Sequence, residues 1–208
     1  MNIYLLRHGQ TDWNLEGRIQ GHTDIPLNPH GRLQIAHAAT GLAGVCPNMD
    51  LILCSPLSRA RESACIAAEM LNYPKDRIIE EPLLIERCFG EAEGLTAAER
   101  EEKYPNYHYS DISYYFPGME PYEELIERAQ NLVETIVDTY KDKENILAVS
   151  HGAILAAIIT AVTDGEIEYF SDAISLDSGS LYRVRYTDVT MELSRYNDKE
   201  MTFRNISF

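Results

Sequence analysis

The sequence predicts an α/β fold: a three-layer sandwich with a mostly parallel central sheet, helices on both faces and a C-terminal antiparallel hairpin at the edge. Three observations lead to this prediction. Short apolar runs alternate along the chain with amphipathic segments of helical period. The composition, with 45% hydrophobic and 25% charged residues, is that of a globular protein. A chain of 208 residues also buries enough apolar surface to fold without disulfide bonds.

Three short runs are almost entirely apolar, which is typical of strands buried on both faces of a parallel sheet. They are Ile3 to Leu6, Leu51 to Cys54 and Ile146 to Val149. Near the C-terminus, two further runs separated by a short polar link predict the hairpin. They are Leu181 to Tyr186 and Met191 to Tyr196.

Four segments carry apolar residues at helical spacing and are predicted to be the helices that cover the sheet. Their apolar stripes run from Ile35 to Leu42, Ala60 to Leu71, Leu125 to Val137 and Ile154 to Val162. The second helix is predicted to begin at Ser55-Pro56, because serine caps helix N-termini and proline fits the first helical position.

The stretch from Tyr104 to Tyr122 is unusually rich in aromatic residues and proline. We therefore predict one domain over residues 1–208, with an inserted lid segment around 96–122. Aromatic side chains there suit a leaving group with an apolar or ring-shaped part, although packing of the same side chains in the core explains them equally well.

The charge balance limits the partners of the protein. With 18 Lys and Arg against 33 Asp and Glu, the net charge is −15, which disfavours binding to nucleic acid or to an anionic membrane. The most apolar stretch, Ile154 to Val162, is far shorter than the roughly 18 residues that span a bilayer. Four cysteines without CxxC spacing predict ordinary thiols and a cytoplasmic location. An anion site in this chain must be a local cluster of cations.

Two of the predicted strands end in a histidine followed by glycine. The first runs into Arg7-His8-Gly9 and the third into Ser150-His151-Gly152. Ligands of open α/β sheets bind beyond the carboxyl ends of the strands. If the two strands are neighbours, His8 and His151 meet over one pocket, and Gly152 lets the backbone approach a ligand closely. Each pair alone is weak evidence, because a strand-end histidine is more often structural.

Two more residues strengthen the case for a phosphate-like ligand. Arg59 lies in the first turn of the helix after the second strand, where its side chain and free backbone N–H groups can bind the same anion. With Arg7 and the histidines it forms a cationic pocket in an acidic chain. Glu86 follows apolar residues, and a partly desolvated carboxyl can stay protonated and donate a proton.

The segment Leu6 to Asn14, with the sequence LRHGQTDWN, resembles the RHGxTxxN signature of the histidine phosphatase superfamily, in its phosphoglycerate-mutase-like branch. The resemblance continues in family order to about residue 155. Its other elements are residues 17–27, the Ser-Pro-Leu-x-Arg-Ala element at 55–60, Glu86 with its glycines, and Ser150-His151-Gly152.

This resemblance implies a role for each matching residue. His8 is the nucleophile that becomes phosphohistidine, and Glu86 protonates the leaving oxygen and later activates water. The phosphoryl group is bound by the remaining candidates, which are Arg7, Arg59 and His151, with hydrogen bonds from Asn14 and Thr23 and a further contribution from Arg87. Because these cations neutralise the phosphoryl charge, we expect no metal and no other cofactor.

The leading prediction is a phosphomonoesterase that hydrolyses a small-molecule phosphate ester through phosphohistidine, and a homodimer is a further expectation. One alternative is a 2,3-bisphosphoglycerate-dependent phosphoglycerate mutase, and a second is a catalytically inactive phospho-ligand-binding module. Mutases of the family carry a lysine where this chain has Ala97 and paired arginines where it has Tyr114 and Tyr115. Residues 93–123 thus offer chiefly aromatic and acidic side chains, and a second buried anion would lack partners. The natural substrate stays open.

Overall fold

The computed structural model describes residues 1–106, 114–169, 171, 174–187 and 191–206. Seven strands form one sheet in the order β3-β2-β4-β1-β5-β6-β7. The strands are β1 (Asn2–Arg7), β2 (Leu51–Cys54), β3 (Ile79–Glu80), β4 (Asn145–Ser150), β5 (Leu181–Tyr186), β6 (Met191–Asn197) and β7 (Thr202–Asn205). The α-helices are α1 (Asp12–Leu15), α2 (Pro29–Val45), α3 (Ser58–Met70), α4 (Ala97–Lys103), α5 (Tyr122–Thr139) and α6 (Gly152–Val162).

The predicted α/β fold is confirmed, with two additions at the edges of the sheet. Strands β1 to β4 are parallel to one another, whereas β5, β6 and β7 continue the sheet in antiparallel pairing. The sheet is therefore parallel at one end only, and the predicted hairpin has a third strand, β7. Strands β3 and β7 escaped prediction because they are short and bury little surface, so no apolar run marks them.

Helices cover both faces of the sheet, as predicted. Along β1, Ile3 and Leu5 pack with α5 and α6 on one face. Tyr4 and Leu6 pack with α2 and α3 on the other. Because successive side chains of a strand point to opposite faces and both faces are buried, the inner strands are apolar throughout.

The start of α3 differs from its prediction. The helix begins at Ser58, and its N-cap residue is Leu57, two positions after the predicted cap Ser55. Asp24 replaces the serine cap: its carboxylate accepts hydrogen bonds from the backbone N–H and the hydroxyl of Ser58. The Ser55 hydroxyl oxygen instead lies 2.7 Å from Nε2 of His151. Arg59 still lies in the first helical turn.

The predicted lid around 96–122 includes residues 107–113, which lie outside the described residues. In its described part, α4 begins with a capping box formed by Thr96 and Glu99. Phe116 is buried, and its ring packs against Tyr104 and Tyr114 with centroid distances of 4.9 and 5.4 Å. Core packing thus accounts for Tyr104 and Phe116. The lid role and the single domain over residues 1–208 stay predictions.

The described helices include none that is both long enough and apolar enough to cross a membrane.

Candidate active site

The two histidines at the strand ends meet, as the sequence predicted. Strands β1 and β4 are parallel neighbours, and their register pairs Arg7 with Ser150. His8 and His151 therefore follow at the same level, with ring centroids 5.1 Å apart. Both are deeply buried, with exposures of 2% and 0%. The sheet topology alone brings these residues, far apart in the chain, to one point.

His8 is held as a neutral imidazole with a defined tautomer. Its Nδ1 lies 2.7 Å from the backbone carbonyl oxygen of Gly9, which can only accept a hydrogen bond, so Nδ1 carries the proton. The lone pair is then on Nε2. Burial, followed by the positive charges of Arg7 and Arg59, lowers the pKa of His8 well below its ordinary value. A neutral ring with a free Nε2 lone pair is a nucleophile.

His151 is bonded to protein groups through both ring nitrogens. Nδ1 accepts from Nε of Arg59 at 3.2 Å, because a guanidinium can only donate, and Nε2 lies 2.7 Å from the Ser55 hydroxyl. Burial, then above all the positive charge of Arg59, lowers the pKa of His151 well below its ordinary value. Its ring lies beside His8 and does not line the cleft. The structure therefore gives His151 a supporting contact with His8 and Arg59 and shows no open nitrogen for a phosphoryl group.

Arg59 and Arg7 are fixed by backbone carbonyl groups. The guanidinium of the fully buried Arg59 donates to the carbonyl oxygens of Thr23 at 3.0 Å and Gly21 at 2.7 Å. Arg7 donates to the carbonyl oxygen of Leu176. Gly152 lies beside Arg7, since a Cβ atom at position 152 would be 3.4 Å from its Cζ atom. These carbonyl partners orient the two guanidinium groups, and an oriented guanidinium group can bind a phosphate through charge-assisted hydrogen bonds.

Glu86 faces the cleft from beside the N-terminus of α6, with only 8% of its surface exposed. Its Oε1 accepts hydrogen bonds from the backbone N–H groups of Arg87, Ala153 and Ile154, at 2.9, 3.1 and 3.2 Å. Within the part of the chain that the structure describes, its Oε2 has only a long contact of 3.4 Å with the Ala153 N–H. The desolvated carboxyl was predicted, whereas the three backbone donors that stabilise its negative charge were not. Oε2 is the oxygen available for proton exchange.

These groups line a cleft of about 470 Å³. It contains seven of the nine predicted site residues, which are Arg7, His8, Asn14, Arg59, Glu86, Arg87 and Gly152. The other two, Thr23 and His151, do not line it. The Thr23 hydroxyl instead donates to Oε2 of Glu93 at 2.7 Å, and its carbonyl holds Arg59. Asn14 lines the cleft while its Oδ1 accepts from the backbone N–H and the hydroxyl of Thr11, at 3.0 Å each.

Two further arginines, Arg18 and Arg100, line the cleft, and neither was predicted from the sequence. The prediction that residues 93–123 offer chiefly aromatic and acidic side chains is therefore wrong at Arg100. In α4, Glu99 bonds Thr96 and Arg18, and the next residue, Arg100, lines the cleft. The Thr96-x-x-Glu99 capping box could have predicted the helix, but not the direction in which Arg100 faces.

Glu93 was also missed, although it ties two loops of the site together. Its carboxylate accepts from the backbone N–H groups of His22, Thr23 and Phe89 and from the Thr23 hydroxyl. Burial opposes ionisation, but these hydrogen bonds outweigh it and lower the pKa of Glu93. Since the carbonyl groups of Thr23 and the nearby Gly21 hold Arg59, Glu93 positions the guanidinium group of Arg59 indirectly.

Replacing Glu93 by glutamine is expected to lower Tm by about 4–8 °C. The new NH2 group cannot accept a hydrogen bond, so part-buried donors that now bond the carboxylate would lose their acceptor at a cost of about 2 kcal/mol. The reduced support of Arg59 should also lower kcat/KM about tenfold. Differential scanning calorimetry and steady-state kinetics measure the two effects. Glu101→Gln, on the exposed side of α4, is the control. A variant with wild-type Tm and kcat/KM would contradict this role of Glu93.

The fold and the cleft together define a class, the α/β enzymes that transfer a phosphoryl group. The sequence profile described as histidine phosphatase superfamily (branch 1) matches residues 3–199, and the chain belongs to this superfamily. The predicted family and the prediction of a phosphatase enzyme are confirmed.

The relatives include phosphatases and a mutase. A Bacillus subtilis protein described as uncharacterized phosphatase PhoE is 34% identical over 195 residues, covering 94% of this chain and 93% of that protein. A 2,3-bisphosphoglycerate-dependent phosphoglycerate mutase of Gloeobacter violaceus is 31% identical over 162 residues, covering 76% and 73%. The solved structure of a mycobacterial glucosyl-3-phosphoglycerate phosphatase with VO3 gives a TM-score of 0.82 at 25% identity, covering 94% and 98%.

Proposed function

We propose that the protein hydrolyses small-molecule phosphomonoesters through a covalent phosphohistidine on Nε2 of His8. The observation that carries this proposal is a single cleft lined by a neutral His8, the two carbonyl-anchored arginines Arg7 and Arg59, and the carboxyl of Glu86. A nucleophile, a cationic phosphoryl site and a proton donor are the three groups that this reaction needs.

In the first half-reaction, Nε2 of His8 attacks phosphorus in line with the ester oxygen. The N–P bond forms as the P–O bond to the leaving group breaks, and Arg7 and Arg59 stabilise the charge on the equatorial oxygens. The leaving oxygen takes a proton from Oε2 of Glu86.

In the second half-reaction, the carboxylate of Glu86 accepts a proton from a water molecule that attacks the same phosphorus. The P–O bond to water forms, the N–P bond breaks, and inorganic phosphate leaves with His8 restored as the neutral ring. His151 and Thr23 act here as positioning residues, because their polar groups bond Arg59. The cleft is also lined by Asn14, Arg87 and Gly152, which can contact the bound substrate there.

The acid limb of the pH profile of kcat/KM is expected well below pH 6.5, the ordinary pKa of a histidine. Protonated His8 cannot attack, and its lowered pKa means that the ring stays neutral as the pH falls through 6.5. The measurement is kcat/KM from pH 4.5 to 8, corrected for the second ionisation of the substrate phosphate near pH ~6. A limb at or above pH 6.5 that survives this correction would contradict the assignment of His8.

The test of the proposed function is phosphate release from an aryl phosphate without bisphosphoglycerate and in the presence of EDTA. We expect turnover under these conditions, since arginines supply the positive charge, and negligible interconversion of 2- and 3-phosphoglycerate. Efficient isomerisation stimulated by 2,3-bisphosphoglycerate, with little phosphate release, would instead favour the mutase. Binding of phosphate esters without turnover would favour the inactive module. The cytoplasmic location and the homodimer remain part of the proposal.

A further inference from the structure

The loop of residues 174–180, which precedes β5, forms one wall of the cleft and contacts Arg7. Its residues Ile174, Leu176 and Asp177 line the cleft. The backbone carbonyl oxygen of Leu176 accepts a hydrogen bond from Nη1 of Arg7. Because Arg7 belongs to the phosphoryl site, the position of this carbonyl group helps to determine where a phosphoryl-binding guanidinium group points.

The C-terminal end of this loop is attached to the backbone of β1. The N–H of Gly179 donates to the carbonyl oxygen of Arg7 at 3.2 Å, and the carbonyl oxygen of Ser180 accepts from the N–H of Arg7 at 3.0 Å. The N–H of Ser180 also closes a turn by donating to the carbonyl oxygen of Asp177 at 2.9 Å. Leu176 lies just before this turn, so its carbonyl group depends on how the preceding residue is held.

The preceding residue, Ser175, is held by a buried tyrosine of β5. The hydroxyl of Tyr182 donates to the carbonyl oxygen of Ser175 at 2.8 Å and accepts from the N–H of the same residue at 2.9 Å. Tyr182 is fully buried and pairs with Leu5 of β1 in the sheet. Burial raises the pKa of Tyr182, so the hydroxyl keeps the proton that it donates. One phenol group thus satisfies both polar backbone groups of Ser175.

Tyr4 provides a comparison within the same sheet. It is also buried, but its side chain belongs to the core on the opposite face, and its hydroxyl bonds the thiol of Cys46 at the end of α2. The ring of either tyrosine fills space in the core, which a phenylalanine would do equally well. The two hydroxyl groups differ in what they hold, since that of Tyr182 bonds the loop that contacts Arg7.

We propose that Tyr182 is a positioning residue whose hydroxyl holds Ser175, so that the carbonyl group of the next residue orients Arg7 for the phosphoryl group. Tyr182 is not among the described residues that line the cleft, so it acts through Arg7 and not on the substrate. A guanidinium group that is oriented in advance reorganises less when the charge of the transition state develops. The inference rests on the proposed function and adds to it a residue in the core.

The test is Tyr182→Phe, which removes the hydroxyl and keeps the ring. We expect kcat/KM for an aryl phosphate to fall at least ~10-fold and the Kd of orthovanadate, measured by titration, to rise at least ~5-fold. Tyr4→Phe is the matched control, because it makes the same chemical change at a buried tyrosine. Both variants lose a buried hydrogen bond and some Tm, and both are assayed below their melting transitions. Tyr4→Phe should keep kcat/KM and Kd within ~2-fold of the wild type.

A double-mutant cycle with Arg7 distinguishes positioning of Arg7 from general loosening of the fold. If Tyr182 acts through Arg7, adding Tyr182→Phe to Arg7→Gln should change the Kd of vanadate by less than ~2-fold. Wild-type values in Tyr182→Phe, equal losses in Tyr4→Phe, or an undiminished effect in the Arg7→Gln background would overturn the inference. Hydrolysis of the aryl phosphate by the wild type would still support the proposed function in each of these cases. Absence of this hydrolysis would overturn the proposed function, and the vanadate titrations alone would then decide the role of Tyr182.

Discussion

Replacing His8 by alanine is expected to lower kcat by at least ~10⁴-fold, because the variant lacks the ring nitrogen that attacks phosphorus. The arginines that bind the phosphoryl group remain, so the variant should still bind phosphate esters and vanadate. Single-turnover kinetics and a binding titration separate these two effects. Removing a buried ring also leaves a cavity, and a thermal melt must show that the fold persists.

His30→Ala is the matched control for this variant. His30 is an exposed histidine near the start of α2, outside the cleft, and its loss should leave kcat unchanged. If His8→Ala kept a tenth or more of the wild-type kcat while melting normally, another residue would have to be the nucleophile.

Replacing Glu86 by glutamine is expected to lower kcat by about 10²–10⁴-fold for alkyl phosphates, because the leaving alkoxide then receives no proton. An aryl phosphate with a good leaving group needs that proton much less. For such a substrate the first half-reaction should persist while attack by water slows, since the base is also lost. The variant should therefore release a burst of phenol equal to one per enzyme and accumulate phosphoenzyme. Rapid-quench kinetics measure the burst.

Glu91→Gln provides the control for the loss of a carboxylate in the same region. Glu91 is exposed and bonds Lys103 on α4, so its replacement should affect neither the burst nor kcat. Suppose instead that Glu86→Gln lowers kcat equally for alkyl and aryl esters and gives no burst. Glu86 would then not protonate the leaving group and would only support the structure of the site.

The part of the site that lies at strand ends could be predicted from the sequence. Three apolar runs marked β1, β2 and β4, and parallel pairing places the residues after them at one edge of the sheet. His8 could also be recognised by the glycine that follows it, and Arg59 by its position near a helix start. Glu86 could be recognised by the apolar residues that precede it. Strong local patterns coincide here with the positions that the topology brings together.

The orientation of individual side chains could not be predicted, because it depends on contacts between loops distant in sequence. Thr23 turns to Glu93, and His151 turns both ring nitrogens to Arg59 and Ser55. No pattern in a single sequence reports such partners. Arg100 was missed for a related reason: whether an arginine on a short amphipathic helix faces solvent or a cleft depends on where that helix packs.

The central claim, a phosphohistidine on His8, is tested most directly by trapping the phosphoenzyme. Wild-type protein and Glu86→Gln are quenched during turnover of a ³²P-labelled phosphomonoester, and the labelled peptide is sequenced by mass spectrometry. We expect label that is lost in acid and retained in base, on the peptide that contains His8, and absent from His8→Ala. Label on serine, cysteine or aspartate, or a labelled His8→Ala protein, would contradict the mechanism.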